Sequence, residues 1–291
     1  MNKKKIKQKL ISYKNAPGSA VMVGLVFLAS LITFTALFFL IVYLLIKGIP
    51  HLSLDMFALH YTTENVSLLP ALINTVIMTV LALLLAVPLG IFSAIFLVEY
   101  AGKGNKFVEI IRLTTETLQG IPSIVYGLFG LLFFVTTLHW GMSLLAGAFT
   151  LAIMILPLIM RTTEEALKSV PDSYREGSFG LGAGKLRTIF RIVLPSAVPG
   201  ILAGVILAIG RVVGETAALM YTSGTVAEVA DSVMSSGRTL ALHMYALSSE
   251  GLHTDKAYAT AVILLVLVIG INSLSTIIAK KISKGNENGE D

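Results

Sequence analysis

A chain of 291 residues that is 55% apolar, only 13% charged and has a mean hydropathy of +0.83 cannot hide its apolar surface in a water-soluble fold, because soluble domains carry about 25% charged residues. The absence of cysteine excludes disulfide frameworks, thiolate metal sites and cysteine nucleophiles. A net charge of +5 fits either a nucleic-acid partner or the basic inner loops of a membrane protein, and the distribution of the charges decides between them.

In chain order, a basic start from Met1 to Lys14 precedes an apolar block over 20–46. A secretory signal has an apolar core of only about 7–15 residues, so the block is expected to stay as a first span behind a basic cytoplasmic tail, residues 1–19. Further apolar runs lie at 70–98, 118–137, 141–160, 196–222 and 257–279, each near the roughly 20 residues needed to cross the hydrocarbon core. The expectation is an all-α polytopic membrane protein of six transmembrane helices, with a transmembrane domain over 20–283 and a polar tail over 284–291. Little but His139 and Trp140 separates the third run from the fourth. A hairpin with a tight outer turn is expected there, with a single re-entrant hairpin as the alternative.

Lys and Arg accumulate on the cytoplasmic side of membrane proteins. With the N-terminus inside, 18 of the 22 basic residues fall in inner segments, leaving Lys47, Arg238 and Lys256 outside and Arg211 within a span. Both termini are therefore expected in the cytoplasm. The same pattern argues against nucleic acid, since no single basic face with interleaved aromatics appears.

The longest inner loop, 161–195, contains Ser173-Tyr-Arg-Glu176, which predicts a capping box and a helix start near Ser173. Gly180, Gly182, Ala183 and Gly184 predict a turn, followed by a second helical stretch over 185–194 that Pro195 ends or kinks. The glycine run is not a phosphate loop: Phe179 and Leu186 stand where Walker A needs Gly and Ser or Thr, and Lys185 stands where a dinucleotide fingerprint needs its third Gly.

Glu176, Gly182 and Ile192-Val-Leu194-Pro195 have the spacing E-x5-G-x9-I-x-L-P. This resembles the EAA loop of ABC importer permeases, with Gly177 and Ser178 in place of its two alanines. The resemblance implies a coupling helix that docks on a separate ATPase, with Arg175, Lys185 and Arg187 available for a polar rim. The chain itself carries no nucleotide-binding motif, so no ATP hydrolysis of its own is expected.

Arg211 and Glu215 lie four residues apart inside the fifth run, a spacing that predicts one helix face. A charge at the bilayer centre costs about 2.5–3.5 kcal/mol on translocon scales, so both groups should face protein or a water-filled path. Two readings remain open: a structural ion pair aided by nearby glycines, and an anion site built on the planar guanidinium.

Gly210-Arg-Val-Val-Gly-Glu-Thr-Ala, Gly120-Ile-Pro-Ser-Ile-Val-Tyr-Gly127, Asn74-Thr75 and Pro88-Leu-Gly-Ile resemble the phosphate importer permeases over residues 65–280. The Glu-Thr-Ala-Ala continuation and Leu156-Pro-Leu-Ile-Met-Arg-Thr-Thr-Glu-Glu165 are more similar to the A-type subunit than to its C-type partner. That resemblance implies transport roles for Arg211, Glu215 and, more weakly, Arg161. It also implies a bacterial inner-membrane location, a C-type permease partner, two copies of a cytoplasmic ATPase and an external phosphate-binding protein. Glu215 has a chemical use in such a path, since hydrogen phosphate carries a proton that a carboxylate accepts and sulfate carries none. No cofactor is expected, and the five histidines lack ligand spacing for a metal. Gly120, Pro122 and Gly127 suit either a broken, cavity-lining helix or close packing. Residues 233–247 suggest an amphipathic stretch near the outer membrane surface.

Overall fold

The structure is a computed structural model that describes residues 17–101 and 104–287. The basic stretch up to Lys14, Lys103 and the last four residues of the polar tail lie outside the described residues. Every regular element among the described residues is helical. The order is α1 (Pro17–Gly48), α2 (Leu69–Ile95), α3 (Lys106–Gln119), α4 (Ser123–Gly130), α5 (Leu144–Ser169), α6 (Asp172–Gly180), α7 (Lys185–Thr188), α8 (Leu194–Val213), α9 (Ala217–Thr222), α10 (Leu240–Glu250) and α11 (Thr254–Glu287). Wider π-helical turns extend α2 over Phe96–Tyr100, extend α4 over Leu131–Thr137, and join α7 to α8 over Ile189–Val193.

Among the described residues, five helices are long and apolar enough to cross a membrane, over Val21–His51, Leu69–Tyr100, Leu144–Ser169, Lys185–Val213 and Thr254–Leu274. A sixth crossing arises only if α3 and α4 count as one span bent by 100°. The third expected span is thus not a simple rod. Gly120 closes α3, and Pro122, which lacks an amide hydrogen, starts the next helix at a new angle. The Tyr126 hydroxyl donates to the Leu118 carbonyl at 2.8 Å, and Gln119 Nε2 donates to the Pro157 carbonyl at 3.1 Å, which fixes the bend. Gly127 serves packing: a Cβ there would lie 2.8 Å from Ala218 Cα.

The core is apolar and tightly stacked. α2 and α5 share the most extensive interface, with α5 against α8 next. Met78, Ala82 and Ala86 of α2 interlock with Leu151, Ile155 and Ile159 of α5 and with Ala208 and Val212 of α8. Small residues set these distances. A Cβ on Gly204 would fall 2.0 Å from Thr162 Oγ1, so α5 and α8 meet backbone to side chain at that level. α1 is the least enclosed span and packs mainly on α11.

The segment between α9 and α11 is not the surface amphipath expected over 233–247. Residues 223–239 are irregular, and α10 buries Leu240, Leu242 and Leu247. Buried Asn74 explains why an irregular chain stays in place. Its Nδ2 donates to the Glu228 carbonyl at 2.9 Å, and its Oδ1 accepts from the Ala230 amide at 3.1 Å. The neighbouring Thr75 Oγ1 accepts from the Leu240 amide at 2.8 Å. Backbone bonds from Ser143, Leu144 and Leu145 to Thr222, Ser235 and Val233 tie the same segment to the start of α5. Buried backbone polar groups need such partners, and α2 and α5 supply them.

Candidate functional site

Two places deserve a chemical reading: the hairpin α6–α7 at one end of the molecule and the break after α8 deeper inside.

The hairpin forms where small residues allow it. α6 starts at Asp172, one residue before the expected Ser173, and no side chain caps it. The capping box is not formed: Pro171 precedes the first turn, and Glu176 makes no hydrogen bond or ion pair with any described residue. The Leu181–Gly184 turn closes through Gly182, at φ +81°, whose amide donates to the Phe179 carbonyl at 2.9 Å. That conformation strains any residue with a Cβ. Ser178 Oγ and Thr188 Oγ1, both buried, lie 2.8 Å apart in a hydrogen bond that locks the two arms together. The serine at a family alanine position is therefore a latch as well as a small residue.

Pro195 does not end the second arm. The chain widens into the π-helical turn and continues as α8, so Pro195 lies inside one helical run over Lys185–Val213. Ile189 and Val193 sink into a cluster with Ala94 and Ile95 of α2 and Ala166 and Leu167 of α5. Ile192, Leu194 and Pro195 are half-buried at the same junction. The tip is the reverse: Tyr174, Phe179, Leu181, Leu186 and Phe190 are all exposed, Leu181 at 91%. Apolar side chains presented together at a polar turn mark an interaction surface.

Arg175 does not join a polar rim at that tip, because its side chain turns inward. Nε and Nη2 donate to Glu99 Oε1 at 3.1 and 2.7 Å, Nη1 donates to the Val170 carbonyl at 2.9 Å, and Nη2 also donates to the Leu167 carbonyl at 3.0 Å. With Arg175 at 14% exposure and Glu99 at 9%, this is a sheltered clamp between the hairpin, the end of α2 and the end of α5.

The second place departs from one expectation. Arg211 and Glu215 do not share a helix face, because α8 ends at Val213 with Gly214 as its cap. Glu215 lies past the end, 9% exposed, and its Oε1 accepts from the Ala218 amide at 3.0 Å, capping α9. Arg211, half-buried in α8, makes no hydrogen bond or ion pair with any described residue, and the Tyr126 hydroxyl lies within reach of its field. The structural ion pair is thus not formed, and a guanidinium remains open inside an apolar helix. An apolar groove of about 580 Å³ opens beside the break, lined by Ile124, Thr216, Met220, Tyr221 and Tyr258.

Arg161 stands apart from these two. Thr162 meets Gly204, seven residues before Arg211, so Arg161 lies about 10 Å closer to the hairpin along the helix axis. Its Nε donates to Glu165 Oε1 at 3.2 Å, and Glu116 Oε1 lies 3.7 Å from Nη1, with the side chain 49% exposed. Nearer the hairpin and more buried, Glu164 takes ion pairs from Arg112 at 2.7 Å and Lys168 at 2.6 Å.

An all-helical bundle of apolar spans with an exposed hairpin at one end is the architecture of a polytopic membrane protein. Residues 86–284 match the family described as the inner membrane component of binding-protein-dependent transport systems, and the chain belongs to that family. It is a multi-pass inner-membrane protein. The probable ABC transporter permease protein YqgI of Bacillus subtilis (strain 168) is 33% identical over 268 residues, covering 83% of this chain and 89% of that one. The phosphate transport system permease protein PstA of Mycobacterium leprae (strain TN) is 38% identical over 206 residues, 69% of this chain and 67% of that one. A chain of the bacterial alginate ABC transporter, solved with a pentasaccharide-bound periplasmic protein, superposes with a TM-score of 0.66 at 17% identity over 94% of this chain and 98% of its own. At that identity the likeness speaks for the fold alone.

Proposed function

We propose that this chain is the A-type permease subunit of an ATP-driven importer of inorganic phosphate, with both termini and the α6–α7 hairpin in the cytoplasm. Arg211 carries the reading. It is a permanent cation within an apolar helix, bonded to no carboxylate among the described residues, in a chain whose relatives include proteins named as phosphate permeases. A guanidinium left open in a span is costly unless an anion or water meets it, and its fork of donors matches two oxygens of a phosphate. Glu215 spends Oε1 on the α9 amide, leaving Oε2 without a hydrogen bond to any described residue. That oxygen would accept a hydrogen bond from the hydroxyl of hydrogen phosphate, which sulfate lacks, and its charge would keep Arg211 from trapping the anion. Arg161 would then receive the anion nearer the cytoplasm, exchanging its exposed carboxylate pairs for it.

Energy would enter through the hairpin. Hydrolysis of ATP is assigned to a separate ATPase dimer docked on the apolar tip, with Glu176 and Gly182 at the contact. Two connections lead inward: Arg175 to Glu99 of α2, and the Ile192-Val-Leu194-Pro195 junction into α8. Because α8 is unbroken from Leu194 to Val213, Arg211 stands about 24 Å along one rod from Pro195. A homologous C-type permease would complete the path, and an external phosphate-binding protein would deliver substrate. ATP and the loaded binding protein would each favour a different access state by binding it better.

The test is phosphate and sulfate uptake into vesicles by Arg211→Gln and Glu215→Gln with membrane levels matched. Hydrogen bonds to charged groups contribute roughly 1.5–3 kcal/mol, so phosphate uptake by Arg211→Gln should fall roughly 10- to 100-fold. Glu215→Gln should lose discrimination against sulfate. Normal uptake in both variants refutes the proposal.

A further inference from the structure

At the hairpin end of the molecule, three neighbouring hollows lie between α2, α3 and α5. The first, of about 430 Å³, is an apolar groove lined by Phe92, Phe96, Ile111 and Met160. The second, of about 210 Å³, shares Leu97 and Met160 with it and is lined by Arg112, Glu116, Arg161 and Lys168. The third, of about 590 Å³, shares Leu97, Arg112 and Lys168 with the second and extends to Glu109 at the start of α3. The shared walls join them into one cleft that changes from apolar to charged.

The direction of that change matches the bilayer. The span over Leu69–Tyr100 ends at Tyr100, so Phe96 and Phe92 lie roughly one and two helical turns deeper. Both rings are exposed, at 52% and 60%, and the solvent at that depth is hydrocarbon. The charged end is lined by Ala101 and Asn105, just past the end of the span, where headgroups and water replace hydrocarbon.

The charges there do not form a plain anion site. Arg112 Nε and Lys168 Nζ lie on the same oxygen, Glu164 Oε1, at 2.7 and 2.6 Å. The two cations therefore sit side by side over one carboxylate and leave a surplus positive charge. Both side chains are partly exposed, and Arg112 Nη1 and Nη2 make no hydrogen bond to any described residue. Glu109 stands three residues before Arg112, on the same face of α3. Its carboxylate is exposed and makes no hydrogen bond or ion pair with any described residue. A paired cation next to an unpaired carboxylate complements a headgroup that carries both signs of charge, and basic pockets between spans recognise lipid phosphates.

We propose that this cleft binds one zwitterionic phospholipid of the leaflet at the hairpin end. An acyl chain lies along Phe92 and Phe96, the phosphate meets Arg112 and Lys168, and a primary ammonium meets Glu109. The occupant is a phosphoethanolamine lipid. A free oxyanion would use neither the apolar groove nor the carboxylate. The inference needs only that α2 spans the bilayer and does not rest on the substrate assigned above.

The experiment places the full chain in nanodiscs with a trace of phosphatidylethanolamine whose acyl chain carries a diazirine, and the photolabelled peptides are identified. Label should fall on the peptides holding Phe92–Phe96 and Ile111 when the host lipid is phosphatidylcholine or phosphatidylglycerol. In a phosphatidylethanolamine host it should drop about tenfold through competition, the scale of a hydrogen bond to a charged group. Millimolar inorganic phosphate should not displace it. Glu109→Gln removes no contact within the described chain and should make label in the three hosts equal. Native mass spectra of the detergent-purified chain should retain one phosphatidylethanolamine, lost in Lys168→Gln, where Arg112 still pairs with Glu164. Label confined to other surfaces, equal label in all hosts for the parent chain, a host preference that survives Glu109→Gln, lipid retained in Lys168→Gln, or displacement by inorganic phosphate overturns the proposal. Uptake is not measured, so failure here leaves the Arg211 reading intact, and loss of that reading leaves this one.

Discussion

Arg175 and Arg211 carry the same guanidinium through the same fold and are used in opposite ways. At the hairpin, every nitrogen of Arg175 is bonded, to Glu99, Asp172 and two carbonyls. Sixteen residues beyond Pro195, Arg211 has no such bond to any described residue. A fully engaged arginine behaves as a mechanical joint, since moving it means breaking several charge-assisted hydrogen bonds at once. An unengaged one keeps its donors for something that comes and goes. The difference teaches that position in a motif is a poorer guide to role than the saturation of the side chain.

The sharpest way to break this comparison is at the hairpin tip. Gly182→Arg places a side chain at φ +81° and a cation on the docking face, and ATP-driven uptake in vesicles should fall to background while membrane insertion stays normal. Retained uptake would detach the hairpin from coupling altogether. Next comes the joint. Arg175→Met leaves Glu99 buried and unpaired, a loss of about 3–5 kcal/mol in comparable pairs; ATP hydrolysis by the assembled transporter should continue with uptake reduced. Adding Glu99→Gln should restore part of the uptake, and strictly additive losses would show that the two residues do not act as a pair.

Asn74→Ala tests whether the 223–239 segment is held from α2. Leaving buried amide and carbonyl groups unmet costs about 1–3 kcal/mol, and limited proteolysis should nick that segment faster than in the parent chain. Unaltered cleavage would show that the start of α5 suffices. The smallest effect concerns His243, which faces Arg238 and Tyr61. Its folded pKa near 3 lies below the ordinary 6.5, so the unfolded chain takes up the proton first. Its contribution is complete above pH 6.5 and is lost as the pH falls below it. Melts between pH 7.5 and 5.5 should show a slope of up to about 1.4 kcal/mol per unit on the acid side, reduced by that amount in His243→Gln.

Much of the architecture was legible because lipid makes a strict demand: an apolar run near 20 residues long is hard to mistake. The hairpin was legible for a different reason, since Gly182 fixes a turn by its backbone and the spacing to Pro195 fixes the second arm. Other features depend on partners far away in the chain. Nothing around Arg175 reveals an inward side chain, because Glu99 lies 76 residues earlier. The four-residue spacing of Arg211 and Glu215 read as one helix face, but Gly214 stops the helix between them, and a glycine directly before Glu-Thr was the available signal. The third span, expected over 118–137, is helical from Ser123 to Thr137, and the bend falls at its start, where Pro122 sets the next helix at a new angle. Arg238 counted only as one of few outer cations; its burial rests on Tyr61 and α10, which no local pattern joins to it.

The Asn74 clamp also imposes an order on synthesis. Its carbonyl acceptor on Glu228 is made 154 residues later, which at about 5–20 residues per second is a delay of roughly 8–30 s. Throughout that interval α2 holds a side-chain amide that hydrocarbon cannot satisfy. The nascent chain must therefore keep this helix beside water, the insertion machinery or another helix until 223–239 emerges, and a ribosome that stalls before then leaves behind a span unfit for lipid.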